Sequence, residues 1–393
     1  MEYLPAKYQQ DLIDNDIGYQ ETEDLLFQCK AELESIYGQA YNEMLAKARK
    51  YLKWFMILDA AKKALVDSGQ LDKDDYKRWR QTAMWTGRET YAMVDVLAAD
   101  LVNVDKIAAS VINGYMPEVY ATNVNWTEYV IEKSIKVNTS FALFDEATVE
   151  RLVRDHPDLL PKARVDIPVD LRWNKQKLNS AITQGILQGE TIDEVAKRLA
   201  AVTDMDMNAA VRNAATMTTS AQNGGRMDTM RRAIDMGIAC KKMWIATLDG
   251  HTRPTHRKAD NELREENQPF SNGLQFPGDP KGPPAEVYNC RCRMVTRVSQ
   301  QPLNLDERDS RELERWDISY DDWKEMKGDQ AITKAARNVN RDMDMHEEYK
   351  SLLGKKVPSR FKDFQEFKYK NTAAWKKMVS DARKARNKRR ASQ

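Results

Sequence analysis

The chain has 393 residues, of which 41% are hydrophobic and 31% charged, so it can bury a sizeable core beneath a heavily ionic surface. Its 62 basic and 60 acidic residues leave a net charge of +2, which by itself indicates no partner. Four cysteines in a chain of this length exclude a secreted disulfide scaffold and favour a reducing compartment. The N-terminus lacks a basic and apolar leader, and the longest aliphatic-aromatic run has five residues, so we expect neither a signal peptide nor a membrane span.

The charges are unevenly distributed along the chain. Residues 1–36 hold nine acidic residues against two basic ones, a balance of −7. Residues 370–390 hold nine basic residues against one acidic residue, a balance of +8. The near-neutral total therefore conceals an acidic beginning and a basic end, and basic ends of this kind often bind polyanions.

The N-terminal part predicts long helices. Apolar or small residues recur from Leu25 to Tyr51 in seven steps over 26 positions, close to the α-helical period, which predicts one long helix over about 21–68. Gly69 is its expected end. Further helices are predicted at about 73–112 and 126–136, and the residues expected to break them are Pro117, Asn123 and Asn125.

A second helical set follows a proline-containing connector. A helix from about Asn174 ends at Gly189, and Thr191 with Glu194 forms a capping box for the next helix. The following helix, at about 207–236, is closed by Gly237. Strands are predicted at about 242–248 and 293–298, separated by a long loop.

The predicted fold class is mainly α, with long N-terminal helices, a small α+β module and a helical, basic C-terminal tail. The predicted units are an N-terminal helical domain at 1–136, a connector at 137–173, the α+β module at 174–298 and the C-terminal region at 299–393.

Residues 244–292 carry the most specific pattern in the sequence. Trp244 lies in the first predicted strand, and an Asp-x-x-Thr-Arg-x-x-His turn runs from Asp249 to His256. A loop rich in proline and glycine follows and ends at Asn289-Cys-Arg-Cys292. This arrangement resembles the Mu F-like head morphogenesis family, whose members are minor capsid proteins of tailed phages and share these features.

The resemblance covers about residues 178–298, a third of the chain. It includes an alanine-rich helix that carries Arg212, Thr216, Thr219 and Asn223. One departure is Asn261, where the family usually has glycine. Because asparagine tolerates the left-handed conformation better than other non-glycine residues, we expect the turn to be preserved.

The same segment predicts a metal centre. Cys290 and Cys292 supply thiolates, His256 an imidazole and Asp249 a fourth donor, with His251 as an alternative ligand. Tetrahedral zinc accepts such a set, and a closed four-ligand site is structural. The alternatives are a metal-free cluster of thiols and hydrogen bonds, and a strained Cys290–Cys292 disulfide.

Other polar residues have structural interpretations. Arg253 and Arg291 are expected to pair with Asp249 and Asp279, or else to meet DNA phosphate. Trp244 is expected in the core. His156 and His346 lie among charged residues and are predicted to be at the surface.

The C-terminal tail predicts sequence-independent contact with double-stranded DNA, since clustered positive charge neutralises phosphates. A solvated helix end is the alternative. The candidate nucleic-acid-binding residues are Lys376, Lys377, Arg383, Lys384, Arg386, Lys388, Arg389 and Arg390.

The family resemblance implies a non-enzymatic minor structural protein of a tailed-phage head, engaged in head morphogenesis and in packaging or ejection of DNA. Its implied partners are the portal protein, capsid or scaffolding proteins and the packaged genome, with no membrane. It would be assembled in the host cytoplasm and lie inside the virion head at the portal. The alternatives are a metal-dependent nuclease or hydrolase using Asp249, His251 and His256, and a DNA-associated effector delivered with the genome.

Overall fold

The computed structural model describes residues 6–86, 88–135, 141–298, 318–328, 339–370 and 372–391. Its α-helices are α1 Ala6–Asp14, α2 Ile17–Asp67, α3 Lys73–Thr86, α4 Arg88–Ile135, α5 Glu146–Asp155, α6 Ile167–Leu187, α7 Ile192–Ala200, α8 Val202–Asp235, α9 Pro254–Lys258, α10 Pro284–Val287, α11 Tyr320–Gly328, α12 Val339–Leu353, α13 Phe361–Lys370 and α14 Thr372–Ala391. Its strands are β1 Cys240–Ile245, β2 Leu263–Arg264 and β3 Arg293–Val298. This composition confirms the mainly α prediction. In these ranges no helix is both long enough and apolar enough to cross a membrane.

The long helix predicted from the apolar period is confirmed as α2. It begins where the Asp16 carboxylate accepts the backbone N–H of Tyr19 at 2.9 Å, which satisfies one of the free donors of the first turn. It ends at Asp67, and Gly69 soon after it adopts a φ of +76°, which glycine readily takes. The residues on its buried stripe include Cys29, Leu33 and Met44.

The breaks predicted in the next helices are wrong, because α4 continues through Pro117. A proline inside a helix removes one backbone hydrogen bond. Here the surrounding residues Met116, Val119 and Tyr120 are buried against α2 and α8, and this packing holds the helix together. Asn123 also stays helical, since its side-chain amide donates to the Val119 carbonyl at 2.9 Å.

Two hydrophobic clusters join the N-terminal helices to the later ones. One combines Phe55 of α2 and Leu97 of α4 with residues of α6 and α7, such as Leu178 and Val195. The other combines α2 and α4 with α5 and α8. The apolar contacts therefore cross the predicted boundaries at 136 and 173, and the division into domains stays a prediction.

The sheet is small, antiparallel and ordered β2-β1-β3. Cys240 pairs with Val298 and Ile245 with Arg293, so β1 and β3 match over six residues. Both long strands agree closely with the predicted ones. The inner face packs on α4 and α8 through residues such as Met227 and Met294.

A buried ion pair fastens the start of α2 to the sheet. Arg226 on α8 donates to both carboxylate oxygens of Asp16, at 2.6 and 2.8 Å, and each side chain is only 2% exposed. The same guanidinium donates to Asn123 Oδ1 at 2.8 Å and to the Met294 carbonyl at 3.1 Å. One side chain thus connects α2, α4, α8 and β3.

A second buried group of charges attaches α11 to α4. Lys327 donates to Glu132 at 2.8 Å, and the Trp323 indole N–H donates to the other oxygen of this carboxylate at 2.7 Å. One turn earlier, Glu128 is fully buried 3.1 Å from Arg232, and burial raises its pKa to about 8. Helix α11 is therefore anchored on α4.

Helices α12 to α14 form a separate hydrophobic cluster around Phe364, Tyr349 and Met378. His346, predicted to be at the surface, is 5% exposed, so that prediction is wrong. Its Nε2 lies 2.7 Å from the Pro358 carbonyl oxygen, and its ring packs against Phe364. His156 is exposed, as predicted.

We predict that Arg226→Met lowers the free energy of unfolding by about 3–5 kcal/mol, because it leaves the buried Asp16 carboxylate without its partner. Urea unfolding followed by tryptophan fluorescence would measure the loss. Arg49→Met is the matched control, since Arg49 forms an exposed pair with Asp193 and should cost at most about 1 kcal/mol. Equal effects of the two substitutions would contradict the central role of Arg226.

Candidate metal centre

Three potential ligands converge where the loop returns to the sheet. His256 lies on the short helix α9, which begins at Pro254 soon after β1. Cys290 and Cys292 lie just before β3. Asn289, immediately before them, adopts a φ of +56°, a left-handed conformation that asparagine tolerates. The local turns thus aim one imidazole and two thiols at the same point.

The distances between these ligand atoms fit a tetrahedral site. His256 Nδ1 lies 3.6 Å from Cys290 Sγ and 3.5 Å from Cys292 Sγ. A tetrahedron with Zn–S bonds of about 2.3 Å and a Zn–N bond of about 2.0–2.1 Å has an S···N edge of about 3.6 Å. All three residues are at most 3% exposed, and both cysteines are free thiols. The three side chains form a possible metal site.

The second nitrogen of His256 lies beside an acidic residue that the sequence did not predict. His256 Nε2 lies 3.0 Å from Glu286 Oε2, and the Thr255 hydroxyl donates to the same oxygen at 2.8 Å. A carboxylate at this position orients an imidazole and makes it a better metal ligand. Glu286 lies on α10, four residues before Cys290, and no spacing rule in the sequence marked it.

The two thiols differ in acidity because they share one proton. The pKa of Cys292 is lowered to about 5, chiefly because the Cys290 thiol donates to it and also because His256 lies beside it. The pKa of Cys290 is raised by the same contact and by burial. A thiolate is the form of cysteine that binds metals, so the pair is prepared to bind a cation.

Asp249 lies outside this group of ligands. Arg291 Nη1 lies 2.5 Å from one of its oxygens, and the backbone N–H of His251 donates to the other at 2.8 Å. These contacts, led by Arg291, lower the pKa of the Asp249 carboxyl. The His251 side chain is exposed. Asp249 therefore shapes the turn that carries His256.

The predicted pairing of the two arginines is found for one of them. Arg291 pairs with Asp249, whereas Arg253 donates to the Tyr288 carbonyl oxygen. Asp279 instead accepts the backbone N–H groups of Gln275 and Lys281, which closes a turn of the loop.

Helix α8 forms hydrogen bonds with the backbone of the cysteine segment. Thr216 accepts the backbone N–H of Asn289 at 3.0 Å, and Thr219 donates to the Cys290 carbonyl at 2.6 Å. Asn223 donates to the Cys292 carbonyl at 3.2 Å and accepts the Met294 N–H at 2.7 Å. The spacing of the three helix residues places them on one face, so they bond successive backbone groups of the segment.

The loop is also held by a small hydrophobic cluster. Trp244 is fully buried and makes edge-to-face contacts with His256 and Phe270 at centroid distances of 5.1 and 5.2 Å. This position confirms Trp244 as a core residue. Asn261 has a φ of +60°, which confirms the expected left-handed turn.

The basic tail forms helix α14. Lys376 and Arg383 are seven residues apart, as are Lys377 and Lys384, and all four side chains are exposed. Met378 and Ala382 on the same helix are buried. Residues separated by two turns share a face, so these charges form one basic surface. Nothing is described for the remaining predicted side chains, Arg386, Lys388, Arg389 and Arg390.

Comparison with known proteins supports the sequence pattern. Residues 176–295 match the family of Phage Mu protein F like proteins. Minor head protein GP7 of Bacillus phage SPP1 is 23% identical over 315 residues, which cover 78% of this chain and 94% of that protein. The NAD(+)–arginine ADP-ribosyltransferase EFV of Enterococcus faecalis (strain ATCC 700802 / V583) is 28% identical over 151 residues, 38% of this chain and only 31% of the transferase. No solved structure gave a significant match. The resemblance to Mu F-like proteins is therefore confirmed for residues 176–295, and the similarity to a phage minor head protein extends over most of the chain.

Proposed function

We propose that the protein is a minor structural component of a tailed-phage head. The observation that carries this proposal is the match to minor head protein GP7, because it spans 94% of that protein and not merely one shared module. The fold is compatible with a scaffold, since the buried Arg226–Asp16 and Lys327–Glu132 contacts tie distant segments into one body. The proposed partners are the portal protein, capsid or scaffolding proteins and the packaged DNA, inside a head assembled in the host cytoplasm.

Mass spectrometry of purified particles of the phage that encodes this chain tests the proposal. We expect the protein in procapsids and mature heads at a copy number far below that of the major capsid protein. Chemical cross-linking of procapsids is expected to join it to the portal protein. Absence from both kinds of particle would refute the structural role, and presence without portal cross-links would refute the portal contact alone.

We further propose that His256, Cys290 and Cys292 hold a structural zinc ion. Zinc would be the Lewis acid that draws the three side chains together and so fixes a loop of about forty residues with little regular structure. The S···N distances and the Glu286 contact support this assignment. Asp249 is engaged by Arg291, so we do not assign it as the fourth ligand.

Metal analysis of the purified protein is expected to find about one zinc per chain. Cys292→Ser should abolish binding and lower the thermal midpoint, because serine is a poor zinc ligand and the loop loses its fastening. Cys240→Ser is the matched control: Cys240 is also buried, but it lies in β1 outside the cluster, so zinc should be retained. If the purified wild-type protein contains no metal and a chelator does not change its stability, the three side chains form a thiol cluster without metal.

The basic surface of α14 is proposed to contact packaged DNA. Four exposed cations on one face can neutralise several phosphates without reading the base sequence. Such an interaction is salt-dependent and suits a protein that meets the genome at any position.

Replacing Lys376, Lys377, Arg383 and Lys384 with glutamine should weaken binding to a duplex of random sequence. Each lost phosphate contact reduces the salt slope by about 0.9, so we expect a slope shallower by roughly 3–4. Fluorescence anisotropy between 50 and 200 mM salt, on the order of physiological strength, would measure it. The control replaces four exposed lysines elsewhere, Lys50, Lys53, Lys63 and Lys73, and should leave the slope unchanged. Equal effects would mean that α14 has no special role.

The burial of the candidate metal centre favours the structural alternative over a nuclease or hydrolase. A catalytic metal needs an open coordination position that water and substrate can reach. His256, Cys290 and Cys292 are at most 3% exposed, and Asp249, the proposed enzymatic partner, is bonded to Arg291. The similarity to the transferase covers under a third of that protein, so we do not transfer its activity. DNA cleavage that is lost in stably folded Asp249→Asn and His251→Ala variants would overturn the non-enzymatic assignment.

A further inference from the structure

A cavity of about 350 Å³ with several charged residues in its lining lies where α2, α4, α6 and α8 meet the segment before α6. Its lining includes Tyr37 of α2, Asp105 of α4, Asn174 and Lys177 of α6, and Asp206 of α8. One water molecule occupies about 30 Å³ in the liquid. The space is therefore large enough for a side chain or a small organic molecule.

Part of the cavity's polar lining is satisfied internally. The Tyr37 hydroxyl donates to Asp105 Oδ1 at 2.8 Å. Lys177 donates to Asp206 Oδ1 and, at 3.3 Å, to Asn174 Oδ1. These bonds hold the side chains in place around the cavity.

One buried carboxylate oxygen has no such partner. Asp206 Oδ2 is buried and makes no hydrogen bond with the described residues, whereas the Asn174 side chain interacts with Asp105. Asp206 is 6% exposed and Asn174 is 2% exposed. An unpaired polar atom of this kind costs free energy in the folded state, which a bound ligand would recover.

The charges of the cavity favour a cation. Three lining carboxylates, those of Asp105, Asp170 and Asp206, stand against the two cations Arg164 and Lys177. Burial, and next the proximity of Asp206, raise the pKa of Asp105 to about 6, so its negative charge is poorly compensated. Burial also raises the pKa of Asp206 in spite of Lys177.

An aromatic ring completes the lining. Trp173 belongs to the cavity wall, yet 53% of its surface is exposed, which is a high value for tryptophan. A planar cation can stack on an indole face while its N–H groups reach carboxylate oxygens.

We propose that this cavity binds a guanidinium group, supplied either by an arginine side chain of a partner protein or by a free arginine derivative. Guanidinium offers a planar fork of donors for Asp206 Oδ2 and Asp105, and its face suits Trp173. An ammonium group has the charge but neither the fork nor the flat face. The proposal is independent of the head assignment, and either can fail without the other.

Isothermal titration of the full-length protein at pH 7.5 with L-argininamide and with a short peptide bearing one central arginine tests the proposal. We expect one site per chain. If both probes bind, a free guanidinium group is sufficient for binding. If only the peptide binds, the guanidinium is supplied by a partner protein. L-Lysinamide is the matched comparison, and equal binding of lysinamide and argininamide would overturn the guanidinium assignment, as would failure of both arginine probes.

Asp206→Asn and Asp105→Asn are expected to weaken binding on the order of tenfold or more, because each removes a charge-assisted hydrogen bond. Asp204→Asn is the control: it makes the same change on α8 at an exposed position two residues from Asp206 and should bind normally. Undiminished binding by both cavity variants would refute the site.

The thermal midpoint shows whether the Asp105 variant folds. The pKa of Asp105 is raised, so the protonated Asp105 carboxyl stabilises the folded protein at low pH. This contribution is lost as the pH rises through about 6. Asparagine is neutral and can still accept from Tyr37, while Asp170, Asp206 and Lys177 remain. We therefore expect Asp105→Asn to match or exceed the wild-type midpoint at pH 7.5 while losing the ligand. A large fall in the midpoint would mean that Asp105 is structural and would contradict the proposal.

Discussion

The bidentate contact between Arg226 and Asp16 is the constraint on which the arrangement of the whole molecule depends. A guanidinium that is 2% exposed needs hydrogen-bond partners, and here it donates four hydrogen bonds to Asp16, Asn123 and the Met294 carbonyl. These groups belong to α2, α4 and β3, while Arg226 belongs to α8. The helical layer and the sheet therefore cannot shift against each other without leaving a charge unpaired in the interior. Asp16 also caps α2, so the same carboxylate fixes where the longest described helix begins.

Helix α8 contacts both the candidate metal centre and the N-terminal helices. On one side, Thr219 and Asn223 bond the backbone of the two cysteines. On another, Ala214 and Ala221 pack against α2 and α4, where only small side chains allow close approach. The position of the thiols is consequently set by the packing of helices that are far away in sequence.

Local signals in the sequence predicted most of the helices and strands. They also identified three residues of the candidate site, His256, Cys290 and Cys292. The apolar period, the capping box at Thr191 and the glycine at 237 identified helices, because each acts over a few neighbouring residues. His256 and the two cysteines were found from their motif. Long-range contacts could not be predicted: Pro117 was expected to end a helix that tertiary packing sustains, and Asp249 was expected among the metal ligands but pairs with Arg291. Glu286 was missed for the same reason, since only the folded loop brings it to His256.

The 210-residue separation between Asp16 and Arg226 has a consequence for biosynthesis. A ribosome adds about 5–20 residues per second, so roughly 10–40 s pass between the emergence of the two partners. During that interval the apolar stripe of α2 has not yet received α8, and it is exposed to chaperones and to other nascent chains. The native contacts between α2 and α8 therefore form only after translation has passed residue 226.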